Sequence, residues 1–379
     1  MRVLFTSSPG LGHIHPMVPL AVALAGRGHE MRWAVAPEAQ PWVEAAGFAT
    51  FPEGIGVGPR QAEFARRHPE VLTLPPAHRP ERMFPAIFGE IAAPPMFDDL
   101  RPVMEQWAPS IVVHDAAELA GPVAAAVAGV PSVAHSFGAL LPAPRVAAAA
   151  EAVAGLWQYA GLAPRPYAGC YDHLYLDIYP PSMRPGGDGH VNRIQALRPV
   201  PLPEGEAPPA PARRPLVYLT FGTVFNEVGE TFRAAVDGVA RLDVDVLVTV
   251  GPVADPGALG RVPANVRVEQ YVPQTSVLPA CVAVVSHAGS GTFLATLGFG
   301  IPQLCLPQAA DQFINAAQGA ASGAALTLLP GDASADAVHA ATARLLDDPN
   351  IAAAARRVQA EIEAMPSPDE VAGVLESLA

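Results

Sequence analysis

The sequence predicts an α/β protein of two domains, each built on a parallel sheet covered by helices. Short apolar runs alternate with helix-like segments, as in RVLFTSS (2–8), PMVPLAVALAGRGH (16–29) and EMRWAVA (30–36). Strands that alternate with helices are typical of β-α-β units. The same alternation restarts after residue 215, and 379 residues are enough for two domains of ordinary size.

In the first half, the predicted elements follow one another closely. A strand over 2–8 leads into a helix that begins at Pro16, since proline suits a first helical position, and ends at Gly26. SIVVHD (110–115) is a buried strand, a helix covers about 118–128, and PSVAHS (131–136) is the next strand. Residues 55–105 and 139–170 fit the alternation poorly, and we expect them to form loops and helices over a cleft.

A proline-rich stretch over 199–215 marks the predicted domain boundary, because proline extends neither a central strand nor a helix. We therefore expect an N-terminal domain over 1–198, a stiff linker over 199–215 and a C-terminal domain over 216–379. The second domain is predicted from a series of strand-like and helix-like segments: PLVYLTFGT (215–223), a helix over 227–240, VDVLVTVG (244–251), VRVEQYVP (266–273), AVVSHAG (283–289), a helix from about 290, and IPQLCLP (301–307).

The composition excludes several classes of function. The formal net charge is −13 without a long basic cluster, which argues against nucleic-acid binding. All 23 basic residues are arginine, so no lysine can form a Schiff base or bind phosphate in a P-loop. Three widely spaced cysteines indicate neither a disulfide framework nor a paired-cysteine zinc site. With neither a signal-peptide pattern nor a long apolar run, we expect a cytoplasmic protein that does not contact the membrane.

The turn PGLGHIHP (9–16) follows the first strand directly. His15 occupies the third glycine position of a dinucleotide-binding GxGxxG, so that motif is absent. His13 lies beyond the carboxyl end of a strand, where ligands of open α/β sheets bind, and is a candidate base. Asp115 ends a second strand and could orient it. Two alternatives remain open here: a metal site that adds His15, His114 and His135, and Asp115 as a simple helix cap.

In the second half, the stretch VVSHAGSGT (284–292) runs from an apolar strand into a turn of small residues and then a helix. Gly289 and Gly291, with the hydroxyls of Ser290 and Thr292, let an anion approach the free amides at that helix N-terminus. The pattern indicates a diphosphate site. A tight turn capped by serine or threonine is the alternative.

Taken together, these motifs resemble the inverting GT-B glycosyltransferases of the UDP-glycosyltransferase superfamily, in particular bacterial natural-product enzymes that use dTDP-sugars. The resemblance spans nearly the whole chain, and its motifs occur in the family's order: Gly12-His13 with Pro16, Asp115, LRPVP (197–201), FGT (221–223), YVPQ (271–274), HAGSGT (287–292) and DQ (311–312). It implies two Rossmann-like domains that face a central cleft.

The resemblance also implies roles for individual residues. His13 deprotonates the acceptor and Asp115 orients His13. Tyr271 stacks on the nucleobase, and the Val272 backbone reads its edge. The remaining residues of the implied nucleotide-sugar site are Thr223, Gln274, His287, Gly289, Ser290, Gly291 and Thr292 around the diphosphate, and Asp311 and Gln312 at the sugar. No metal and no other cofactor is implied.

The implied reaction transfers a deoxysugar from a dTDP-sugar to a small-molecule aglycone, and a homodimer is compatible with it. UDP-sugar enzymes of this superfamily commonly carry a ribose-binding glutamate eight positions after the motif histidine; here that position is Ala295. The rival interpretation is a catalytically silent GT-B helper that activates a partner transferase. A helper should have lost His13 or the diphosphate site, and the sequence retains both.

Overall fold

Two parallel sheets organise the chain in the computed structural model, which describes residues 1–202, 214–222, 229–251 and 255–379. The chain divides into two units. The first comprises Met1–Tyr179, Pro185–Arg198 and Pro366–Ala379, and the second comprises Pro180–Arg184 and Pro199–Met365. Most of the predicted linker, residues 203–213, lies outside the described residues.

The first unit has a seven-stranded parallel sheet in the order β3-β2-β1-β4-β5-β6-β7. Its strands are β1 (Arg2–Thr6), β2 (Glu30–Val35), β3 (Ala49–Pro52), β4 (Ile111–Asp115), β5 (Ser132–His135), β6 (Leu174–Asp177) and β7 (Ile194–Ala196). All five residues of β4 are buried, as expected of a parallel strand covered on both faces. Because β1 pairs directly with β4, the loops after these two strands leave the sheet side by side.

Helices cover this sheet, including the two segments that fit the alternation poorly. They are α1 (Leu11–Ile14), α2 (Val18–Gly26), α3 (Gln40–Ala45), α4 (Val57–Arg67), α5 (Pro80–Phe84), a π-helix (Pro85–Ala92), α6 (Ala93–Trp107), α7 (Gly121–Ala128), α8 (Ala143–Ala152) and α9 (Ala154–Tyr159). The apolar side of α6 packs in the main core of the unit. The segments 55–105 and 139–170 are therefore largely helical.

The first helix begins earlier than predicted. Gly10 is extended and precedes α1, which starts at Leu11, and Pro16 lies in a 3-10 turn between α1 and α2. Proline has no amide hydrogen for the α-helical ladder, so the helix tightens at this point instead of starting there. The correction moves His13 from a preceding loop into the first helical turn.

Short 3-10 turns occur elsewhere in both units, and most begin at a proline, whose fixed φ suits a first helical position. They are His15–Met17, Pro37–Ala39, Pro69–Thr73, Pro76–His78, Pro166–Gly169, Pro181–Met183, Pro256–Leu259 and Leu278–Ala280.

The second unit has a six-stranded parallel sheet in the order β10-β9-β8-β11-β12-β13. The strands are β8 (Leu216–Thr220), β9 (Asp245–Thr249), β10 (Val266–Glu269), β11 (Cys281–Ser286), β12 (Gln303–Cys305) and β13 (Ala325–Thr327). Its helices are α10 (Glu230–Val239), α11 (Gln274–Val277), α12 (Ser290–Gly298), α13 (Gln312–Ser322), α14 (Ala335–Asp347) and α15 (Pro349–Ala364). Strands β8 and β11 pair side by side, with Ser286 opposite Thr220.

The last helix, α16 (Pro368–Glu376), belongs to the first unit, whereas the sequence interpretation placed all of 216–379 in the second domain. It packs on α2, and Glu376 accepts hydrogen bonds from Arg27 Nε and Nη2 at 2.9 and 2.8 Å. His29 Nε2 lies 2.8 Å from the same carboxylate. These contacts join residues about 350 positions apart, so local sequence patterns did not reveal them. No helix in the described parts of the chain is both long enough and apolar enough to cross a bilayer.

Candidate active site

The histidine and aspartate predicted as a catalytic pair meet at the carboxyl edge of the first sheet. His13 lies in α1 after β1, Asp115 ends the adjacent β4, and His13 Nδ1 donates to Asp115 Oδ2 at 2.8 Å. The carboxylate is fully buried and also accepts from the amides of Ser8 (3.3 Å) and Ala117 (3.1 Å). These donors hold the carboxylate in place, and the carboxylate in turn fixes the histidine tautomer.

The rest of the His13 ring faces an apolar and aromatic environment. The ring lies 4.7 Å from the Phe137 ring and 5.9 Å from the Phe88 ring, measured between centroids, and the side chain is 23% exposed. With Nδ1–H bonded to Asp115, the neutral imidazole keeps its lone pair on Nε2. The arrangement can accept a proton at Nε2 and stabilise the resulting imidazolium.

The other histidines of the metal alternative are placed differently. His114 Nδ1 and His135 Nδ1 each donate to a backbone carbonyl, of Asp115 (3.0 Å) and Ser136 (2.7 Å). Burial lowers the pKa of both to about 4, so they are neutral. His15 is partly buried, and this desolvation lowers its pKa. Within the described ranges, no three His, Cys, Asp or Glu side chains are grouped as ligands for a metal ion.

In the second unit, the HAGSGT motif joins the end of β11 to α12. Gly289 precedes the helix, and no side chain caps the first helical amides in the described structure. Gly291 is exposed, with open space where a Cβ would lie. Free amides and the positive end of the helix dipole therefore lie at the carboxyl edge of the sheet, where an anion can bind.

His287 is packed between two glycines of this edge. A Cβ on Gly222 would lie 2.7 Å from its Cε1 atom, and a Cβ on Gly289 would lie 2.5 Å from its Nε2 atom. Both contacts are too close, so glycine is required at each position. Burial lowers the pKa of His287 to about 4, which makes it a neutral hydrogen-bonding group. Thr223, predicted to bind the diphosphate, lies outside the described residues.

The other donor-site motifs are held together by direct contacts. Gln274 Nε2 donates to Thr292 Oγ1 at 2.8 Å, which links YVPQ to HAGSGT. Val272 and Ala295 share one buried apolar cluster. Tyr271, by contrast, is 47% exposed, and its stacking on a nucleobase stays a prediction.

Asp311 and Gln312 lie at the start of α13. Ser290 Oγ donates to Asp311 Oδ2 at 2.5 Å, so the HAGSGT and DQ motifs are in contact. Gln312 is buried, and its Oε1 accepts from the amides of Gln308 (2.7 Å) and Ala309 (2.9 Å). That oxygen is engaged in holding the preceding loop. The predicted contact of Gln312 with a sugar is therefore left to its amide nitrogen.

Sequence reasoning missed Asn315, which ties these motifs together. Its buried Nδ2 lies within hydrogen-bond distance of Ala288 O (2.9 Å), Ser290 Oγ (3.0 Å) and Asp311 Oδ2 (3.1 Å). Ala288 has a left-handed φ of 63°, an uncommon backbone conformation for a non-glycine residue. The available signal was the spacing, since positions four apart on a helix share a face with each other.

Comparisons with known proteins identify the family. Two family models, the N-terminal and C-terminal domains of erythromycin biosynthesis protein CIII-like proteins, match residues 22–198 and 233–378. The chain belongs to this family. The L-demethylnoviosyl transferase of Streptomyces niveus is 35% identical over 382 residues, 98% of this chain and 97% of that protein. The family is thus one of natural-product glycosyltransferases, and the enzyme class predicted from the sequence is confirmed.

Solved structures agree with this assignment. The crystal structure of glycosyltransferase VinC in complex with dTDP has a TM-score of 0.84 at 29% identity, covering 100% of this chain and 99% of that one. The spinosyn rhamnosyltransferase SpnG, complexed with spinosyn aglycone, has a TM-score of 0.83 at 28% identity, covering 99% and 100%. The predicted GT-B fold is therefore confirmed.

Proposed function

We propose that this glycosyltransferase moves a deoxysugar from a dTDP-sugar to a hydroxyl or an activated carbon of a small-molecule aglycone, with inversion at the anomeric carbon. The observation that carries the proposal is the 2.8 Å hydrogen bond between His13 Nδ1 and Asp115 Oδ2. It leaves His13 Nε2 to remove the acceptor proton. The dTDP complex of VinC and the aglycone complex of SpnG support the two substrate classes.

In this mechanism the acceptor attacks the anomeric carbon from the face opposite the leaving dTDP. As the new bond to carbon forms, His13 takes the acceptor proton and Asp115 stabilises the imidazolium. The bond to the diphosphate breaks with its electrons remaining on dTDP. The amides at the start of α12, including that of Ser290, stabilise the charge on that leaving group.

The donor site is proposed to bind dTDP through residues on loops at one sheet edge. The amides of α12, with that of Ser290 among them, bind the diphosphate together with the hydroxyl of Thr292, which Gln274 positions. Asp311 is proposed to bind sugar hydroxyls, since its carboxylate lies at the helix start beside Ser290. Tyr271 is proposed to stack on thymine.

Turnover of the His13→Ala variant tests the assignment of the base. Removing positioned acid-base catalysis should lower kcat by roughly two to four orders of magnitude. Binding of dTDP, measured by calorimetry, should stay unchanged because the contacts proposed for it are in the other unit. Asp115→Asn should lose less activity, or as much if the tautomer of His13 is lost.

Near-normal turnover by His13→Ala would show that another group is the base. The helper-protein alternative makes a different prediction. If the chain were a helper, even the wild-type protein would show no turnover with a broad panel of aglycones and dTDP-sugars. Product stereochemistry, measured by NMR at the anomeric centre, tests inversion separately.

A further inference from the structure

Arg60 is a buried cation that the proposed mechanism does not use. It lies on α4 and is only 7% exposed. Its Nη1 donates one long hydrogen bond, to Ser8 Oγ at 3.5 Å, and its guanidinium lies 5.2 Å from the centroid of the Phe88 ring. Among the residues that the structure describes, no carboxylate lies within the 4.0 Å of an ion pair with it.

This degree of burial is unusual for an arginine. The guanidinium keeps its charge in proteins and offers five N–H donors, and an unpaired buried charge is costly. Burial lowers the pKa of Arg60, an effect that the carboxylates of Asp115 and Glu38 oppose from a distance. Most of its hydrogen-bonding capacity is therefore unused in the protein alone.

Arg60 lines a pocket that adjoins His13. Ser8 connects the two, since its amide donates to Asp115 Oδ2 at 3.3 Å and its Oγ accepts from Arg60. Phe88 contacts both as well, with its ring 5.9 Å from the His13 ring and 5.2 Å from the guanidinium. Ser8 and Phe88 line the pocket, so an acceptor that packs on the Phe88 ring beside His13 can direct an anionic group toward Arg60.

Two carboxyl groups, of Glu53 and Glu118, line the same pocket. Burial raises the pKa of each to about 7, so both carry reduced negative charge at and below neutral pH. Glu118 is held by Thr6 Oγ1 (2.5 Å) and by two backbone amides at the start of α7. Neither of these two carboxyl groups forms an ion pair with Arg60.

We propose that Arg60 binds an anionic oxygen group on the acceptor, a carboxylate or an ionised enol, and so orients the aglycone in front of His13. The planar guanidinium fits a carboxylate with two parallel hydrogen bonds, and the Phe88 ring gives an aromatic acceptor a face on which to pack. The inference rests on the proposed function, which places the acceptor beside His13. It predicts that acidic aglycones are preferred over their neutral analogues.

Binding of two matched probes tests the proposal without turnover or donor. The probes are 2-naphthoate and the neutral 2-naphthamide, titrated by ligand-observed NMR at pH 6.5, where the naphthoate is ionised. Wild type should bind 2-naphthoate about tenfold or more tightly than 2-naphthamide, as expected of a charge-assisted hydrogen bond. Arg60→Gln should abolish this preference, and Arg60→Lys should retain part of it.

Arg67→Gln is the matched control, because Arg67 is on the same helix but is exposed and paired with Glu63. It should keep the full preference. Equal affinity of wild type for the two probes, binding of neither, or a preference that survives Arg60→Gln would overturn the proposal. If Arg60→Gln fails to fold, the affinities of wild type for 2-naphthoate and 2-naphthamide still test the proposal. None of these binding results depends on whether His13 is the base.

Discussion

Asn315 offers the sharpest test of how the donor site is held together. We consider Asn315→Leu, which keeps the approximate size of the side chain and removes its amide. The Nδ2 atom lies 2.9 to 3.1 Å from three acceptors, on Ala288, Ser290 and Asp311. The change leaves the Ala288 carbonyl without this donor inside the protein, and it frees Ser290 and Asp311 from the atom that fixes their relative position.

The expected loss of stability follows from these contacts. An unsatisfied buried acceptor costs about 1 to 3 kcal/mol, and since Nδ2 carries two hydrogens, the contacts to Ser290 and Asp311 together add about 1 kcal/mol. The second unit should therefore lose roughly 2 to 4 kcal/mol, which lowers its Tm by roughly 5 to 15 °C at the size of this unit. Affinity for dTDP should fall about tenfold or more, since Ser290 is no longer held at the diphosphate site.

A matched control separates these two effects. Asn265 lies in the same unit, at the opposite edge of the sheet, and its Nδ2 donates to the carbonyls of Ala240 and Val244 at 3.0 Å each. Asn265→Leu should lower the Tm by a similar amount and leave dTDP affinity unchanged. The assay is calorimetric titration with dTDP, below the Tm of both variants. Our reasoning is refuted if Asn315→Leu binds dTDP like wild type, or if Asn265→Leu weakens binding equally.

Three further predictions concern the metal, the donor and pH. Turnover in excess EDTA should equal turnover with added magnesium, because the proposed diphosphate site consists of amides and hydroxyls; strong, reversible inhibition by the chelator would contradict this. Calorimetry should show dTDP binding about ten times more tightly than UDP, since Ala295 gives the uridine 2′-hydroxyl no partner; equal affinities would count against it. Burial raises the pKa of Glu118 from 4.5 to about 7, so its ionisation removes roughly 3 kcal/mol of stability as the pH rises from below 4.5 to above 7. In the Glu118→Gln variant, the Tm should therefore fall less with rising pH across that range. If the Tm falls as steeply as in wild type, ionisation of Glu118 is not its cause.

The surroundings of Ala295 limit where a larger side chain at this position can go. Ala295 is only 8% exposed and packs in an apolar cluster with Val272, whose backbone is proposed to read the nucleobase. A glutamate introduced there must direct its carboxylate out of the cluster toward solvent or the ribose. Ala295→Glu should improve UDP binding more than it changes dTDP binding. The comparison requires that the Tm of the variant equals that of wild type, which shows that the apolar cluster is intact.

Much of the fold was predictable because its signals are local. Each strand of a parallel sheet is a short apolar run, and each run is followed by a helix-like segment, so the alternation of elements appears directly in the sequence. The pairing of His13 with Asp115 was predictable for a related reason. Both follow strands at the carboxyl edge of one sheet, where ligand sites of α/β proteins form.

The errors arose where distant segments or backbone geometry decide the structure. The start of α1 at Leu11 depends on the extended conformation of Gly10, and a proline five residues later was the stronger local signal. The place of α16 in the first unit depends on Arg27 and Glu376, which no periodicity connects. Motif residues were found by resemblance, whereas the residue that holds them, Asn315, belongs to none of the motifs.

Asn315 and Arg60 show how burial distinguishes scaffold from binding site. Both are buried polar side chains on helices, and both lie beside predicted functional residues. The Asn315 amide lies within reach of three protein acceptors, so its hydrogen-bonding needs are met inside the protein and its role is to position Ser290 and Asp311.

The Arg60 guanidinium makes one long hydrogen bond and remains charged. Asp115 and Glu38 act on this desolvated charge only from a distance, and the pocket beside His13 is where a partner of opposite charge can bind it directly. Whether a buried polar group has its partners inside the protein is visible only in the structure. On this criterion Asn315 belongs to the framework of the donor site, and Arg60 is proposed to recognise the acceptor.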